Sequence, residues 1–406
     1  MTRYYDDLET RSADERAAAL AQALPQQIAR AQGVPGYGGR LSEVDAARIV
    51  SVQDLAALPV LRKSDLGQAQ AQAAPFGGLT TRPANGFAHI FQSPGPIYEP
   101  GGVEHDWWRM GRFLHACGIG QGDIVQNCFG YHLTPAGMIF ESGARAVGAA
   151  VLPAGTGQTE LQARAAADVG ATAYAGTPDY LKVILDKAET MGLKLSITKA
   201  AVGGGALFPS LRQEYADRGI ACLQSYATAD LGNIAYESEA MEGMIVDEQV
   251  IVEIVTPGTG DPVAPGQVGE VVVTTLNPDY PLIRFATGDL SAILPGQSPC
   301  GRSNIRIKGW MGRADQTTKI KGMFVRPEQV AALVSKHAEI VKARVIAGRE
   351  GEMDTMTVQI EANGGSAETY AGSVVDALKL KGKIEVVAPG SLPNDGKVIE
   401  DQRTYD

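Results

Sequence analysis

The sequence lacks the features that would mark a disulfide-bonded, zinc-clustered, membrane-spanning or secreted chain. Its four cysteines are widely spaced and form no C-x-x-C pair, which argues against a disulfide framework and a cysteine zinc site. The most apolar stretch, residues 138–155, is interrupted by Glu141 and Arg145, so we expect no segment to cross a membrane. The start, MTRYYDDLET, has acids where a secretory signal needs a basic and then an apolar run. We therefore expect a cytoplasmic protein with buried free thiols.

Excess positive charge is also missing. The 406 residues include 36 Lys and Arg against 46 Asp and Glu, a formal net charge of −10. Proteins that bind nucleic acids generally present a basic face to the phosphate backbone, and the sequence holds no cluster of Lys or Arg. We therefore expect no nucleic-acid partner. The hydrophobic content of 44% and charged content of 20% are typical of a globular chain, and its length predicts two or three domains.

Short apolar runs alternate with amphipathic stretches between residues 123 and 226. The runs predict strands and the stretches predict helices, which together form crossover units on a parallel sheet. Ligands of such sheets bind at the carboxyl ends of the strands. The polar, Gly-rich strand ends at residues 153–159, 203–206 and 225–233 are therefore the expected location of a site.

The flanking segments follow other patterns. Residues 12–32 predict a helix that begins with a Ser12–Glu15 capping box and is kinked or split at Pro25. After the crossover units, strand runs joined by Gly/Pro turns predict an antiparallel or barrel-like part, followed by a small α+β segment. We expect an α/β fold with a large domain over residues 1–312 and a small α+β domain over residues 313–406.

Motifs at strand ends and in one loop carry the candidate chemistry. VGGGAL (202–207) would let the backbone approach a flat ligand closely. SYATADLGN (225–233) places an aromatic residue and an acid at the next strand end. YPLIRFATGDL (280–290) ends with an acid that could bind both hydroxyls of a ribose, and GSLPNDGKVIEDQR (390–403) holds a lysine in a Pro/Gly loop.

Each motif also has an ordinary structural interpretation. The glycines can serve a turn or a packing contact. Thr228 or Asp230 can cap a helix, and Asp289 can cap a turn. Lys397 can be a solvated surface lysine. No single motif decides between the structural and the functional interpretation.

Taken together and in this order, the motifs resemble the adenylate-forming superfamily, and most closely its phenylacetate–coenzyme A ligase branch. The resemblance extends over nearly the whole chain through further short motifs, namely APFG, GDIVQNCFGY, LPAGTG, EVVVTTL and GRAD…IKG…VRPEQV. The resemblance implies an AMP-forming ligase that activates an aryl or arylacetic carboxylate as its adenylate and transfers the acyl group to coenzyme A. It implies ATP or AMP, Mg²⁺ and coenzyme A as cofactors and a small carboxylic acid as substrate. A homodimer is left open.

The resemblance also implies roles for individual residues. Lys397 would reach the carboxylate and the α-phosphate during adenylation, and Arg313 with Asp315 would form the hinge of a mobile small domain. Asp230, one methylene shorter than the family's usual glutamate, would help to hold Mg²⁺. The residues implied to bind the nucleotide are Gly203, Gly204, Gly205, Tyr226, Ala227, Thr228, Arg284 and Asp289. Those implied to form the acid pocket are Tyr131, His132, Pro135, Ala154 and Gly155. As a lone histidine, His132 fits a structural role equally well.

The segment FAHIFQSPGPIYEPGG (87–102) departs from the family pattern. Its counterpart is a Ser/Thr/Gly-rich loop with a lysine that holds the β- and γ-phosphates. This chain keeps Ser93 and Gly95 but has three prolines and no Lys or Arg there. Each proline removes a backbone N–H donor, and Glu99 would repel a polyphosphate. The sequence therefore predicts a degenerate phosphate loop beside a largely intact site.

This departure leaves other functions open. The second hypothesis is a repurposed relative that binds acyl-adenylate, AMP or acyl-CoA and performs another acyl transfer without efficient ATP cleavage. The third is a non-catalytic binding protein on the same scaffold. Retention of Lys397, Asp289 and Arg313 disfavours the third hypothesis.

Overall fold

Two units make up the part of the chain that the computed structural model describes, namely residues 2–205, 207–316, 318–321, 323–350, 353–393 and 397–403. The first unit comprises Met1–Gln267, Val271–Thr287 and Ala292–Gly309. The second comprises Val268–Glu270, Gly288–Ser291 and Trp310–Asp406. The domain boundary that we expected between residues 312 and 313 stays a prediction.

The helices and strands within the described residues are as follows. The helices are α1 (Ala13–Gln32), α2 (Val52–Leu55), α3 (Leu66–Gln72), α4 (Gly111–Ala116), α5 (Ala136–Ala146), α6 (Thr159–Val169), α7 (Pro178–Thr190), α8 (Pro209–Asp217), α9 (Pro327–Ser335) and α10 (Ala367–Leu378). The strands are β1 (Leu61–Arg62), β2 (His89–Ser93), β3 (Ile97–Gly101), β4 (Ile124–Asn127), β5 (Ala150–Pro153), β6 (Ala173–Gly176), β7 (Lys199–Val202), β8 (Ala221–Thr228), β9 (Gly232–Tyr236), β10 (Met244–Val246), β11 (Val250–Val255), β12 (Gly269–Thr275), β13 (Phe285–Ser291), β14 (Ile293–Leu294), β15 (Arg306–Ile307), β16 (Thr318–Ile320), β17 (Met323–Val325), β18 (Ile340–Glu350), β19 (Met353–Ala362), β20 (Lys383–Val387) and β21 (Ile399–Asp401).

Helix α1 begins as its sequence predicts. The Ser12 hydroxyl accepts from the backbone N–H of Glu15, and the Glu15 carboxylate accepts from the backbone N–H of Ser12 at 2.7 Å. Pro25 lies inside the helix, which continues as one element to Gln32 and is not split. Leu24 and Ile28 are fully buried, since they lie four residues apart on the face that packs on the core.

The largest sheet has nine strands in the order β14-β15-β10-β9-β8-β7-β6-β4-β5. The strands β5, β4, β6, β7 and β8 run parallel, joined by the crossover helices α5 to α8. The predicted crossover units are therefore confirmed. From β8 onward the pairing turns antiparallel, because β9, β10, β15 and β14 fold back in succession along that edge.

The strands after residue 240 do not close into a barrel within the described chain. Strands β11, β12 and β13 join β1 in an open four-stranded sheet in the order β1-β13-β12-β11. Strand β1 pairs with β13 in parallel, with Leu61 opposite Phe285 and Arg62 opposite Ala286. This pairing brings a segment from early in the chain beside the strand that carries the TGDL motif.

Arg284, which precedes β13, is buried and links several segments of this part of the fold by hydrogen bonds. Its guanidinium donates to the Glu253 carboxylate at 3.1 Å and to the backbone carbonyls of Ala56, Leu58 and Gly260 at 3.0, 2.5 and 2.7 Å. Only 2% of the residue is exposed. The donors of this guanidinium are therefore engaged in the core, and its expected role in nucleotide binding stays a prediction.

The second unit is a small α+β structure, as the C-terminal sequence pattern predicts. Its main sheet has the order β20-β19-β18-β21, and β16 pairs with β17 in a separate ribbon. Val330 of α9 and Val374 of α10 pack with Val345 and Val358 of the sheet in one buried cluster. Helix α9 was not among the elements that the sequence predicted.

Two expectations from composition can be compared with the fold. All four cysteines are buried and none forms a disulfide, which confirms the interpretation as free thiols. Within the described residues, none of the helices combines the length and the hydropathy needed to cross a membrane.

Candidate functional site

The candidate site lies at the edge of the nine-stranded sheet where the parallel strands end. The register places Asn127 at the end of β4 opposite Pro153 at the end of β5, and Gly176 at the end of β6 opposite Val202 at the end of β7. The carboxyl ends of these strands are therefore aligned. The segments that leave them lie along one edge, where parallel sheets bind their ligands.

Asn127 holds the loops of the expected acid pocket together. Its side-chain amide donates to the Tyr131 hydroxyl at 2.7 Å and to the Gly137 carbonyl at 2.8 Å. Its backbone carbonyl accepts from the N–H of Gly155 at 3.0 Å. Because Asn127 is buried, these bonds exchange with water rarely and fix the two loops relative to the sheet.

The other expected pocket residues lie around this hub. Pro135 is buried at the start of α5, and the Ala154 carbonyl accepts from the Gln162 amide at 3.3 Å. Burial, with the nearby Glu141 charge adding to it, raises the pKa of the Tyr131 hydroxyl, so Tyr131 is a neutral donor. His132 is exposed.

The Gly-rich turn after β7 packs closely against a buried hydroxyl that has no hydrogen-bond partner among the described residues. A side chain at Gly203 would come within 3.3 Å of the Ser225 Oγ and 3.6 Å of the Phe140 ring. Ser225 Oγ is buried and has no hydrogen-bond partner in the structure. Phe140 stacks on Phe129 with ring centroids 4.2 Å apart. A flat polar ligand at this turn would find an apolar wall and one free hydrogen-bonding group.

Gly204 is adjacent and Gly205 completes the turn. Gly204 has a φ of +68°, in the left-handed region that favours glycine, and a side chain there would come within 3.7 Å of the Phe129 ring. A side chain at Gly205 would come within 3.4 Å of Pro178. Both glycines are thus in van der Waals range of neighbouring side chains.

The SYATADLGN motif forms a turn between two strands and not a helix cap. Tyr226, Ala227 and Thr228 lie at the end of β8 and pair with β9, with a register irregularity between Tyr226 and Ala227. The Tyr226 hydroxyl donates to Thr287 Oγ1 at 3.1 Å. The Thr228 hydroxyl accepts from the Leu231 N–H at 3.2 Å, which holds the turn that carries Asp230. The helix-cap interpretation of Thr228 and Asp230 is therefore wrong.

Asp230 is buried at this turn and paired with a lysine from elsewhere in the chain. Its side chain has no exposed surface, and its Oδ2 lies 2.6 Å from Lys63 Nζ. Lys63 directly follows β1, whose last residue, Arg62, pairs with Ala286 of β13. The other carboxylate oxygen, Asp230 Oδ1, has no hydrogen-bond partner among the residues that the structure describes.

Glu99 lies in the same buried group. The residue is 1% exposed, its Oε1 accepts from the Ser93 hydroxyl, and its Oε2 has no partner. Burial, with the charge of Asp230 adding to it, raises the pKa of Glu99 to about 7, against the lowering effects of Ser93 and Lys63. The buried Tyr280 hydroxyl is also unpartnered, and burial, then the charges of Asp230 and Glu99, raises its pKa.

The expected ribose acid and hinge arginine meet within the second unit. Asp289 Oδ1 accepts from Trp310 Nε1 at 3.1 Å and from the Arg313 guanidinium at 3.4 Å, and the backbones of Asp289 and Arg313 form a β-bridge. Gly288 has a φ of +78°, and a side chain there would lie 2.9 Å from the Arg313 guanidinium. The positive φ favours glycine at this position.

The segment that carries Lys397 is hydrogen-bonded to the turn that directly follows Arg313. Gln316, in the short 3-10 turn Ala314–Gln316, accepts from the N–H groups of Val398 and Ile399 at 2.7 and 3.1 Å. Lys397 is exposed directly before these residues. The side chain of Asp315, and residues 394–396 of the LPNDGK motif, lie outside the described part of the chain.

Sequence reasoning missed several members of the site. Asn127, Ser225 and Tyr280 lie in quoted motifs at positions without a distinctive spacing, and Lys63 lies outside these motifs. The LRKSDL segment that contains Lys63 precedes APFG, a word of the resemblance, and this was the one signal that could have drawn attention to it. Asn127 lies inside GDIVQNCFGY, where it was read only as part of a strand.

The comparisons with known proteins agree with this architecture. No family model matches the chain. The chain is 30% identical over 378 residues to the phenylacetate-coenzyme A ligase of Aromatoleum evansii, with 88% of this chain and 84% of the relative covered. It is also 30% identical over 380 residues to that of Escherichia coli K12, with the same coverage. The chain belongs to the phenylacetate–coenzyme A ligase family.

A solved structure supports the fold. The chain superposes with a TM-score of 0.82 on 2-hydroxyisobutyryl-CoA ligase in the postadenylation state in complex with 2-HIB-AMP, covering 99% of this chain and 93% of that one. At 24% identity this similarity shows the fold alone. It confirms the expected adenylate-forming α/β fold with a large N-terminal and a small C-terminal part.

We expect the Lys63–Asp230 ion pair to stabilise the folded chain. Lys63→Met leaves a carboxylate buried without its cation, which should lower the free energy of unfolding by about 3 kcal/mol. Asp230→Asn removes the charge that needs the cation. The double variant should therefore lose less unfolding free energy than the two single variants lose together, by at least about 1 kcal/mol. Denaturant unfolding of the four proteins measures this coupling, and strict additivity would contradict it.

Glu99 is expected to make stability depend on pH. Its pKa of about 7 in the folded chain exceeds its ordinary value of 4.5. Between these two pH values, the Glu99 carboxyl is mostly protonated in the folded chain and mostly ionised in the unfolded chain. The free energy of unfolding should therefore fall as the pH rises from about 4.5 to 7, by up to about 3 kcal/mol. Glu99→Gln should remove this contribution and leave that of Asp106, whose pKa burial raises to about 6. Glu104→Gln, which alters an exposed acid with a lowered pKa, should leave the Glu99 contribution in place.

Proposed function

We propose that this chain is an AMP-forming carboxylate–CoA ligase. It activates an aryl or arylacetic carboxylate as its acyl-adenylate and transfers the acyl group to coenzyme A. The observation that carries the proposal is the alignment of the Gly203–Gly205 turn, the Tyr226 segment and the Asn127-held pocket loops at one sheet edge. This alignment occurs in a chain 30% identical to phenylacetate-coenzyme A ligases.

The adenine would lie at the Gly-rich turn. The unpaired Ser225 hydroxyl, 3.3 Å from where a side chain at Gly203 would begin, suits a ring nitrogen or an exocyclic amine. Tyr226, whose hydroxyl is anchored by Thr287, would present its ring to the base. Asp289 would accept from the ribose hydroxyls, and Arg313 donates to the same carboxylate at 3.4 Å.

The acid would bind in the loops around Asn127. The stacked rings of Phe129 and Phe140 form an apolar wall beside Gly203 and Gly204, which suits an aromatic acid better than a short polar one. Tyr131 would supply a neutral hydroxyl near this wall. His132, being exposed, would lie at the rim.

The charge of the reaction would be balanced by Lys397 and a divalent cation. Adenylation brings a carboxylate against a triphosphate, and a positioned ammonium lowers the cost of this approach. Mg²⁺, when bound with the nucleotide, would offset phosphate charge. Asp230 could supply one oxygen, since its Oδ1 is unpartnered, and phosphates would have to supply others. The described residues hold no group of three or more His, Cys, Asp or Glu that could bind a metal alone.

A change of conformation would separate the two half-reactions. Arg313 and Asp315 would act as the hinge, so that Lys397 withdraws after adenylation and the thiol of coenzyme A can enter. Gln316 supports this assignment because its hydrogen bonds to Val398 and Ile399 couple the hinge turn to the strand that follows Lys397.

One observation favours a second candidate function. The β2–β3 hairpin carries a buried acid, Glu99, and the sequence resemblance matches this segment to the family's phosphate-binding loop. A relative that takes acyl-adenylate, AMP or acyl-CoA and performs another acyl transfer would not need to grip pyrophosphate. Acyl-CoA formation from acid, ATP and coenzyme A distinguishes the two functions.

The test is acyl-CoA formation from a panel of aryl and arylacetic acids with ATP, Mg²⁺ and coenzyme A. With the best acid, Lys397→Ala should abolish pyrophosphate release, because the ammonium that meets the α-phosphate is lost. The thioester step from supplied acyl-adenylate should persist. Lys336→Ala, which removes an exposed lysine from α9's end, is the matched control. An unchanged adenylation rate in Lys397→Ala would remove this lysine from the mechanism, and no turnover of any acid would favour the second function.

Asp289→Ala should weaken AMP binding more than tenfold, since hydrogen bonds to a charged acceptor contribute about 1.5–3 kcal/mol each. Asp289→Asn keeps one acceptor oxygen and should lose less. Calorimetry with AMP measures both affinities, and thermal unfolding checks that loss of the Trp310 and Arg313 contacts has not unfolded the variants. Equal AMP affinity in Asp289→Ala and the parent chain would show that the ribose binds elsewhere.

A further inference from the structure

Trp310 has a largely exposed ring, but its indole N–H is hydrogen-bonded to the carboxylate that we expect to bind the ribose. The residue is 40% exposed, and its Nε1 donates to Asp289 Oδ1 at 3.1 Å. The two residues lie 21 positions apart in the chain, and none of the sequence motifs includes Trp310. The contact therefore became visible only in the fold.

The same carboxylate oxygen accepts a second hydrogen bond. The Arg313 guanidinium donates to Asp289 Oδ1 at 3.4 Å, and only 13% of the Asp289 side chain is exposed. A carboxylate oxygen has two lone pairs, and each accepts one hydrogen bond well. Trp310 and Arg313 together therefore use the ordinary capacity of Oδ1.

Of these two donors, Trp310 is the one that can withdraw at small cost. Arg313 is held at the carboxylate by the β-bridge between its backbone and that of Asp289, and its charge makes its hydrogen bond the stronger one. The backbone beside Trp310 is also fixed, since the Met311 N–H donates to the Leu290 carbonyl at 2.9 Å. The indole itself is neutral and partly exposed, so it can rotate about its side-chain bonds and donate to water.

A ribose requires the acceptor that Trp310 occupies. Two neighbouring hydroxyls bind a carboxylate best when each donates to a different oxygen, because this arrangement fixes the orientation of both groups. Asp289 Oδ1 can accept from a ribose hydroxyl only when one of its own donors withdraws. Binding of the ribose and the Trp310 hydrogen bond therefore exclude each other.

We propose that Trp310 competes with the ribose for Asp289 Oδ1 and so determines how strongly the site distinguishes a ribonucleotide from a dideoxynucleotide. The inference rests on the proposed role of Asp289 in nucleotide binding and adds the residue that opposes it. Binding of AMP breaks the hydrogen bond from Trp310 to Asp289, and a ribose hydroxyl donates in its place. Trp310 is thus a specificity-determining residue and not a catalytic one.

The first test compares the affinities of AMP and 2′,3′-dideoxy-AMP for the full chain and for Trp310→Phe by calorimetry. Phenylalanine keeps an aromatic ring and removes the N–H. The variant should bind AMP about tenfold more tightly, because a hydrogen bond to a charged acceptor no longer has to be broken. The dideoxynucleotide lacks both hydroxyls and should bind the two proteins equally.

Trp107→Phe is the matched control. It also removes an indole N–H, one that has no hydrogen-bond partner among the described residues, and it should change neither affinity.

The second test follows the Trp310 N–H in the unaltered chain. The chain has three tryptophans, so ¹⁵N-labelled indoles give three N–H signals in an NMR spectrum. The Trp310 signal is the one that is absent from the spectrum of Trp310→Phe. Saturating AMP should shift this signal towards the position of an indole that donates to water, and saturating dideoxynucleotide should leave it in place.

The outcomes separate this role from a supporting one. Weaker or unchanged AMP binding by Trp310→Phe, an equal gain for both nucleotides, or an unmoved indole signal with AMP bound would each overturn the inference and leave the nucleotide site in place. If neither protein binds AMP, the proposed function fails and the inference fails with it. Trp310→Leu replaces the phenylalanine variant if that variant does not fold, and the same gain for AMP alone is expected from it.

Discussion

A carboxylate removed from water requires a cation, and the site is arranged around this requirement at Asp230. Its side chain is fully buried, and the cation that meets it, Lys63, comes from 167 residues earlier in the chain. The pairing of β1 with β13 brings the lysine there, while Arg109 holds the turn from the other side by donating to the carbonyls of Leu231 and Asn233. An unpaired charge would cost several kcal/mol, so the ion pair links the position of β1 to the position of the turn.

The same buried region shows that the β2–β3 hairpin and the Gly203 turn are held by separate contacts. A phosphate-gripping loop needs free N–H donors and a cation, whereas the β2–β3 hairpin uses its donors in pairing and contributes the Glu99 carboxyl instead. The hairpin is held by Gln70 and by the Leu133 carbonyl, which do not depend on the phosphate site. The Gly203 turn and the Asn127 loops are supported by other strands of the sheet.

Buried polar side chains make the loops of this site rigid. Asn127 joins two pocket loops, Gln162 donates to the carbonyls of Ala154, Gly155 and Gly157, and Arg284 fastens three backbone carbonyls around Glu253. Satisfied polar groups in a low dielectric hold one geometry, because any rearrangement leaves a donor or acceptor without a partner. A ligase that must place an acid and a phosphate within bonding distance benefits from such preorganisation.

Local patterns in the sequence determined the crossover units, the α1 capping box, the free thiols and the family, because periodicity, caps and motif words depend on residues close together in the chain. The strands for which a barrel-like arrangement was one expectation form an open sheet, and α1 is not split at Pro25. Tertiary packing decides how strands close and whether a helix continues. Only the tertiary structure showed that Lys63 meets Asp230, that Glu99 turns inward and that Arg284 is engaged in the core. Burial and pairing of charges depend on segments that lie far apart in the chain, and no local pattern records which of them will meet.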